Sequence, residues 1–329
     1  MRRAIAEART NIALVKYWGK RDAALNLPAV GSLSLTLEGL STRTEVRFDA
    51  ALGADALTLN GTIETGPALT KVSRFLDLVR AEAGMPNRAH VTSANNFPTA
   101  AGLASSASAF AALALAATRA LGLGLDDRAL SVLARRGSGS AARSIHGGLV
   151  RMHRGGAADG LDSFAEPVAR GSAEAMDLRM VLGITQKGPK ETLSTDGMRH
   201  TAETSPYFAA WVASSEPDLA DATAAIARGD LEALGVVTER SALTMHASAL
   251  AARPAVLYFA GATVEGYRAI VAMRKTGLPA WFTCDAGPHV KALTDGKHAE
   301  EIARRLAEVP GVIETIVCRP GKAAEVVES

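Results

Sequence analysis

Four stretches of this 329-residue chain carry side chains that could do chemistry together. In "NFPTAAGLASSASAFAALALAA" (Asn96–Ala117), a loop with Pro98 and Gly102 runs through Leu103 and Ala104 into Ser105-Ser106 and an alanine-rich helix. A helix N-terminus presents free N–H groups and about half a positive charge, so it attracts phosphate. Gly102 lets the backbone approach, and a serine hydroxyl, with Ser106 the candidate, can bind a phosphate oxygen or Mg2+. Lys16 interrupts the apolar run "IALVKYW"; held inward, its ammonium needs an anionic partner. Arg143 follows "SGSAA", where Ser138 and Ser140 flank Gly139. Its planar fork suits a carboxylate or a phosphate. Asp285 stands in "CDAGP", delivered by the apolar "AWFTC" to the start of a loop, a placement that suits catalysis. Each has a plain alternative: a Ser-capped helix without ligand, a snorkelling lysine, a surface arginine after a helix C-cap, a turn-forming aspartate.

The elements that must position these groups fall into two halves. "SLSLTL" (32–37) and "STRTEVRF" (41–48) alternate as half-buried strands, and "LTLNGT" ends another strand at an Asn60-Gly61 turn. Leu69, Val72, Phe75, Leu76 and Val79 share one face of a helix over 69–83. "AHVTSA" predicts the strand before the serine loop, and Asp126 caps a helix that ends at Gly137. "RGGAADG" (154–160) reads as a surface loop. In the second half, "DLRMVLGIT" reads as a buried strand, followed by long helices over 207–250 broken at Pro217 and Gly229. A helix over 264–275, the strands "AWFTCDAG" and "VKALTD", a helix over 299–309 and the strand "VIETIVC" complete an α+β arrangement with an antiparallel sheet. The boundary between halves falls near Ser172.

Two other glycine-rich segments compete as phosphate loops. "GITQKGPKE" has Pro189 where the P-loop lysine belongs and Glu191 where its Ser/Thr would hold Mg2+. "GSGSAA" (137–142) fits a dinucleotide fingerprint, but a helix precedes it where a strand is required.

"PTAAGLASSA" looks like the phosphate loop of the GHMP small-molecule kinases. Taken with "NIALVKYWGKRD" (11–22), "RRGSGSAARSIHGG" (135–148), "MHA" (245–247) and "CDAGP", the chain resembles the diphosphomevalonate decarboxylases of that superfamily over essentially its whole length, in motif order and spacing. The resemblance implies a two-domain GHMP kinase-like α+β fold. Residues 1–172 would form a ribosomal protein S5 domain 2-like unit with the ATP phosphate loop and the substrate diphosphate site. Residues 173–329 would form an α/β sandwich with an antiparallel sheet that supplies Asp285. It implies phosphorylation of the tertiary C3 hydroxyl of mevalonate 5-diphosphate by ATP with Mg2+, then loss of phosphate and CO2 to leave isopentenyl diphosphate, in the mevalonate pathway of isoprenoid biosynthesis.

By that resemblance Asp285 accepts or steers the hydroxyl proton, Lys16 meets Asp285 and the transferring phosphate, and Arg143 holds the C1 carboxylate. Tyr17, Trp18, Gly19, Lys20, Ser138, Gly139 and Ser140 would hold the diphosphate. Ser194 and Thr195 of "LSTDGM" would approach it, and Lys71 would add charge there or face solvent. Pro98, Gly102, Leu103, Ala104, Ser105 and Ser106 would hold ATP. His246 reads as a structural hydrogen-bonder. The chain departs from the family at Val30-Gly31 (usually Asn-Ser), Ser241 (often Asn) and His289 (commonly Asn), positions expected near the ligands. Neighbouring readings are a phosphomevalonate decarboxylase or a mevalonate-type kinase that stops at the phosphate ester; a ligand-sensing paralogue and an NAD-dependent oxidoreductase are more distant.

Composition excludes several classes. The net charge of +2 offers no field for nucleic acid or a membrane surface. Cys284 and Cys318 are far apart and draw neither a disulfide framework nor a metal pair, as fits a reducing cytoplasm. Acidic Glu7 breaks any signal-like N-terminus, and no apolar tract approaches the ~20 residues needed to span a bilayer. A cytoplasmic homodimer acting on a small molecule is expected.

Overall fold

The computed structural model describes residues 2–97, 105–169, 171–186, 188 and 192–328. Two large sheets with their helices, and a small two-stranded sheet of Lys20–Asp22 with Leu27–Pro28, make a mixed α+β architecture. Among the described residues the first sheet has eight strands. Its central order is Glu325–Glu328, Arg2–Val15, Ser32–Asp49, Arg88–Asn95, Ala56–Leu59 and Thr62–Glu64. Leu149–Met152 pairs beside the Ser32 end of the long strand, and Ala165–Pro167 pairs with it in turn. All these pairings are antiparallel except Ala56–Leu59 with Arg88–Asn95.

The two expected strands at 32–37 and 41–48 are one 18-residue strand. The irregularity between them is a register shift in its pairing with Arg2–Val15, where Gly39 takes φ 87°. The N-terminal strand itself, 14 residues long, shapes the molecule. Ala4, Ala6 and Ala8 alternate onto the core with Val46, Phe48 and the alanine-rich helix Ser105–Ala120. Small side chains on both elements let backbone and helix approach closely. Farther along, Ile12, Leu14 and Val15 enter a different core, shared with Leu178, Met180, Leu182 and Leu219 of the second half. The strand therefore crosses from one half into the other, and Lys16 is the next residue.

The second sheet has the order Trp281–Thr283, Val290–Asp295, Leu178–Ile184 and Glu314–Cys318, antiparallel throughout. Leu178, Met180 and Leu182 face the core shared with helices Phe208–Arg228 and Leu231–Leu250, whereas Val181 faces Ile270, Ile302 and Leu306 on the other side. Both faces are covered, so "DLRMVLGIT" is continuously apolar rather than alternating. Pro217 does not break its helix, which runs unbroken to Gly229 at φ 66°. Buried Trp211 and Leu219 flank the proline, and their packing outweighs its local cost. Asp126 caps its helix as expected, accepting from the Ala129 N–H at 2.8 Å. The last strand, Glu325–Glu328, returns to the first sheet and binds it through Arg3–Glu328 and Arg9–Glu325 ion pairs.

Candidate active site

Lys16, at the end of the crossing strand, meets Asp285, just beyond the Trp281–Thr283 strand. Lys16 Nζ lies 2.7 Å from Asp285 Oδ1 and 2.8 Å from the Ala13 carbonyl, and the side chain is 1% exposed. Its backbone N–H donates to Ser241 Oγ at 3.0 Å. The lysine does not snorkel; it has the anionic partner that an inward ammonium requires. Lys291, equally buried on the Val290–Asp295 strand, stands 3.3 Å from the other oxygen, Oδ2. Strand pairing sets Lys291 opposite Thr283, two residues before Asp285. Burial by itself would raise the Asp285 carboxyl, but Lys16 and Lys291 together overrule it and hold the group ionised, far below the usual carboxylate range.

Arg143 is also buried. It lies on the 3-10 turn Gly139–Ile145, a more ordered setting than a flexible loop. Nε donates to Asn11 Oδ1 at 3.1 Å and Nη1 to Ser32 Oγ at 2.9 Å. These two bonds fix the guanidinium plane and leave three of its five N–H groups for a ligand. Burial lowers it to about 10, against the opposing influence of Tyr17 and Asp285, so it stays charged at neutral pH. Asn11 also donates to the Ser140 carbonyl and to Ser144 Oγ, tying the strand to the turn. The Tyr17 ring lies 5.8 Å under the Arg143 guanidinium, and its buried hydroxyl has no partner among the described residues. Gly139 makes room for that hydroxyl: a Cβ there would stand 2.2 Å from it.

A cavity of about 700 Å3 opens over these groups. Its wall includes Lys16, Tyr17, Trp18, Lys20, Lys71, Ser105, Ser106, Ser138, Gly139, Ser140, Arg143, Ser194, Thr195 and Asp285, which had been expected at a site. Lys20 Nζ donates to Asn26 Oδ1 at 2.6 Å, Lys71 Nζ stands 4.6 Å over the Phe110 ring, and Ser138 and Ser140 hydroxyls are 3.4 Å apart. Trp18 reaches the wall, but its ring is buried edge-on against Tyr258. Gly19 stands behind the wall at φ 89°, with the Phe208 ring 2.6 Å from where a Cβ would be. Pro98, Gly102, Leu103 and Ala104 lie outside the described residues.

Sequence reasoning missed Lys291, Asn11, Ser32, Asn26 and Arg74. The signal for Lys291 was present: a lysine inside the apolar strand "VKALTD", the same pattern that drew attention to Lys16. The family departures are mostly set back from the cavity. Val30 is buried among Trp18 and Trp211, and Gly31 packs on Leu219, where a Cβ would meet its side chain at 2.6 Å. His289 packs behind the Asp285 loop, its Nδ1 accepting from the Thr185 N–H at 3.2 Å. His246 is structural: Nε2 contacts the Cys284 carbonyl at 3.2 Å, and burial, then Lys16, pushes the imidazole down to about 3. "GSGSAA" follows a helix, which removes the dinucleotide reading.

Lys16, Lys20, Lys71, Arg74 and Arg143 line the cavity, and Asp285 is its one acidic side chain among the described residues. Such a wall suits polyanions. A second cavity of about 780 Å3 shares Asn26, Lys71, Arg74 and Gly137 with the first, so the space continues toward the Pro67–Ala83 helix. Among the described residues no three His, Cys, Asp or Glu side chains form a metal cluster. Mg2+ is commonly held by substrate phosphates with one or two protein oxygens, which the serine hydroxyls at the Ser105–Ala120 helix start can supply. Among the described residues no helix is long and apolar enough to cross a membrane.

Residues 8–165 match the diphosphomevalonate decarboxylase-like N-terminal domain, and residues 180–322 match the mevalonate 5-diphosphate decarboxylase C-terminal domain. A diphosphomevalonate decarboxylase of Ganoderma lucidum is 38% identical over 328 residues, covering 93% of this chain and 81% of that protein. The mevalonate diphosphate decarboxylase structure from Staphylococcus aureus is 40% identical with a TM-score of 0.94, covering 99% of this chain and 98% of its own. A structure of MDDEF in complex with MVAPP, AMPPCP and magnesium is 40% identical with a TM-score of 0.93, covering 100% and 99%.

Proposed function

The chain belongs to the diphosphomevalonate decarboxylase family, and from that membership we propose how its own residues divide the reaction. The enzyme carries out the ATP-dependent decarboxylation of mevalonate 5-diphosphate to isopentenyl diphosphate in the mevalonate pathway, with ATP and Mg2+. The observation that carries the assignment of roles is the Lys16–Asp285 pair, its lysine buried and its carboxylate partly exposed to a cavity whose other charged residues are cationic.

Asp285 orients the tertiary hydroxyl and takes its proton. Its carboxylate is a weak base, so the proton moves late, after bond formation to phosphorus has acidified the oxygen. A loose phosphoryl-transfer transition state is compatible with that timing. Lys16 neutralises charge on the transferring group, and ATP with Mg2+ supplies the phosphoryl. Arg143, held in plane by Asn11 and Ser32, grips the C1 carboxylate that leaves as CO2. Tyr17, Trp18, Lys20, Lys71, Ser138, Gly139, Ser140, Ser194 and Thr195 form the wall for the 5-diphosphate. Ser105 and Ser106, with Pro98, Gly102, Leu103 and Ala104 preceding them, hold the nucleotide phosphates, and Ser106 meets Mg2+.

We place the division between the two units near Ser172, between the two family matches. Cytoplasmic location is supported by two free, buried cysteines. A homodimer is likewise proposed. Product analysis tests the reaction: mevalonate 5-diphosphate should yield ADP, phosphate, CO2 and an alkene in equal amounts. Accumulation of a stable phosphate ester would instead identify a kinase.

A further inference from the structure

Asp285 has two buried lysines and each takes a different oxygen. Lys16 lines the cavity; Lys291 is 1% exposed, lies outside the lining, and approaches Oδ2 from behind at 3.3 Å. Oδ2 is itself buried, and no hydrogen bond to another group satisfies it. Two lysines stand against one carboxylate: burial pushes the Lys16 ammonium down and Asp285 opposes it, and with both lysines protonated the fold holds one positive charge more than it neutralises. A cluster kept for stability alone would not carry that excess, because an unpaired buried charge costs several kcal/mol. The excess is useful if Lys16 is to be shared with an incoming anion.

We propose that Lys291 is a positioning residue for the decarboxylation. It holds the Asp285 carboxylate ionised and in a fixed orientation while Lys16 turns its charge to the transferring phosphoryl group. With Lys16 alone, a phosphoryl oxygen would compete with Asp285 for the single ammonium, and the carboxylate would lose its partner as the hydroxyl needs it. Lys291 acts only through Asp285 and touches no reacting atom. The proposal rests on the assignment of Asp285 to the reacting hydroxyl.

Six groups face this carboxylate from the elements around it: Lys16, Lys291, Arg143, His246, His289 and Cys284. Both imidazoles are pushed down to about 3, by burial first and then by Lys16 for His246 and Lys291 for His289. Burial pushes the Cys284 thiol up to about 11. None of these three titrates between pH 5 and 8, and Asp285 with both lysines titrates well below it, so an acid limb that rises toward this range only when Lys291 is replaced reports Asp285.

The test compares Lys291→Met, Lys291→Gln and Lys291→Arg with the unmodified full-length enzyme, using Mg-ATP and mevalonate 5-diphosphate. Lys291→Met should lower kcat at least ~10-fold while leaving both KM values within about three-fold. Removing one ammonium lets the carboxyl protonate at higher pH, so the acid limb of kcat should shift upward. Lys291→Arg should restore most of the turnover and return the limb. Thermal stability of the Met variant should not fall, because Lys16 still pairs with Asp285 and a buried excess charge is gone. If the Met chain fails to fold, the Gln chain gives the same comparison. A Met or Gln variant with kcat within three-fold of the unmodified enzyme overturns the proposal. So does a loss of kcat with an unmoved acid limb, a lowered melting temperature and no rescue by Arg, which marks a packing role. Asp285→Asn in the same assay separates the two levels: retained turnover there defeats the underlying role of Asp285, whereas its loss beside an unaffected Lys291→Met defeats only the role of Lys291.

Discussion

Lys16 Nζ lies 2.7 Å from Asp285 Oδ1, although the two residues are 269 positions apart. Each comes from the end of a strand in a different half of the molecule, so the pair exists only when both halves are correctly joined. The core of Ile12, Leu14, Leu178, Met180 and Leu219 makes that join. Burying each large aliphatic side chain contributes ~1.5–3 kcal/mol, so several of them outweigh the desolvation of one paired lysine.

Arg143 provides a test of geometry against charge. Arg143→Lys keeps the charge but loses the planar fork and cannot bond Asn11 and Ser32 in the same way. Turnover should fall by at least ~10-fold, with the loss expressed mainly toward mevalonate 5-diphosphate rather than ATP. Steady-state kinetics with each substrate varied in turn measures this. Kinetics equal to those of the unmodified enzyme would mean that Arg143 does not hold the carboxylate.

The serines at the start of the Ser105–Ala120 helix should serve the nucleotide. Replacing both Ser105 and Ser106 with alanine should weaken Mg-ATP binding ~10-fold or more, since two oxygens that can meet phosphate and metal are lost. The alanine-rich helix should remain intact, because alanine is its best former. Calorimetric titration with a non-hydrolysable ATP analogue and circular dichroism report the two effects. Unchanged nucleotide affinity would remove these serines from the phosphate site.

His246 and His289 should make the fold sensitive to acid. Burial holds both imidazoles neutral, at about 3, whereas in the unfolded chain they titrate near 6.5. The unfolded state therefore binds more protons between those values, and stability must fall as pH drops from about 6.5 toward 3. Each imidazole contributes up to ~1.4 kcal/mol per pH unit within that window. Urea unfolding at pH 7 and pH 5 should show a smaller loss for His289→Asn than for the unmodified chain. An identical pH dependence in the two would show that His289 is not buried as a neutral ring.

Residue type marked the candidates, each with a plain structural alternative, and the family resemblance decided between the readings. A lysine inside an apolar run, an arginine behind a Ser-Gly-Ser turn and an aspartate at the end of an apolar strand all converge on one cavity. Lys291 was passed over although its pattern matches that of Lys16, because a lysine within a strand reads as an edge or surface residue until pairing places it opposite Thr283. The N-terminal strand was hidden for a different reason. Its core-facing residues Ala4, Ala6 and Ala8 have poor intrinsic strand preference, and only the alanine-rich helix packed on them explains the choice. Pro217 misled in the same way, since tertiary packing carried the helix through it. Asn11 and Ser32 hold Arg143 from separate strands, and no local spacing announces such a long-range contact.

The role of Asp285 is tested most directly by Asp285→Asn, which keeps the size of the side chain and most of its hydrogen bonding but removes charge and basicity. Steady-state turnover should fall by at least ~10²-fold, the low end for a positioned acid–base group. Binding of Mg-ATP and of mevalonate 5-diphosphate, measured by titration on the same variant, should change far less, because the proposed assignment gives the phosphates to Tyr17, Lys20, Ser138, Ser140 and the helix at Ser105. A fall of only a few-fold in turnover would contradict the proton-accepting role, and equal losses of binding and turnover would make Asp285 a structural residue of its turn.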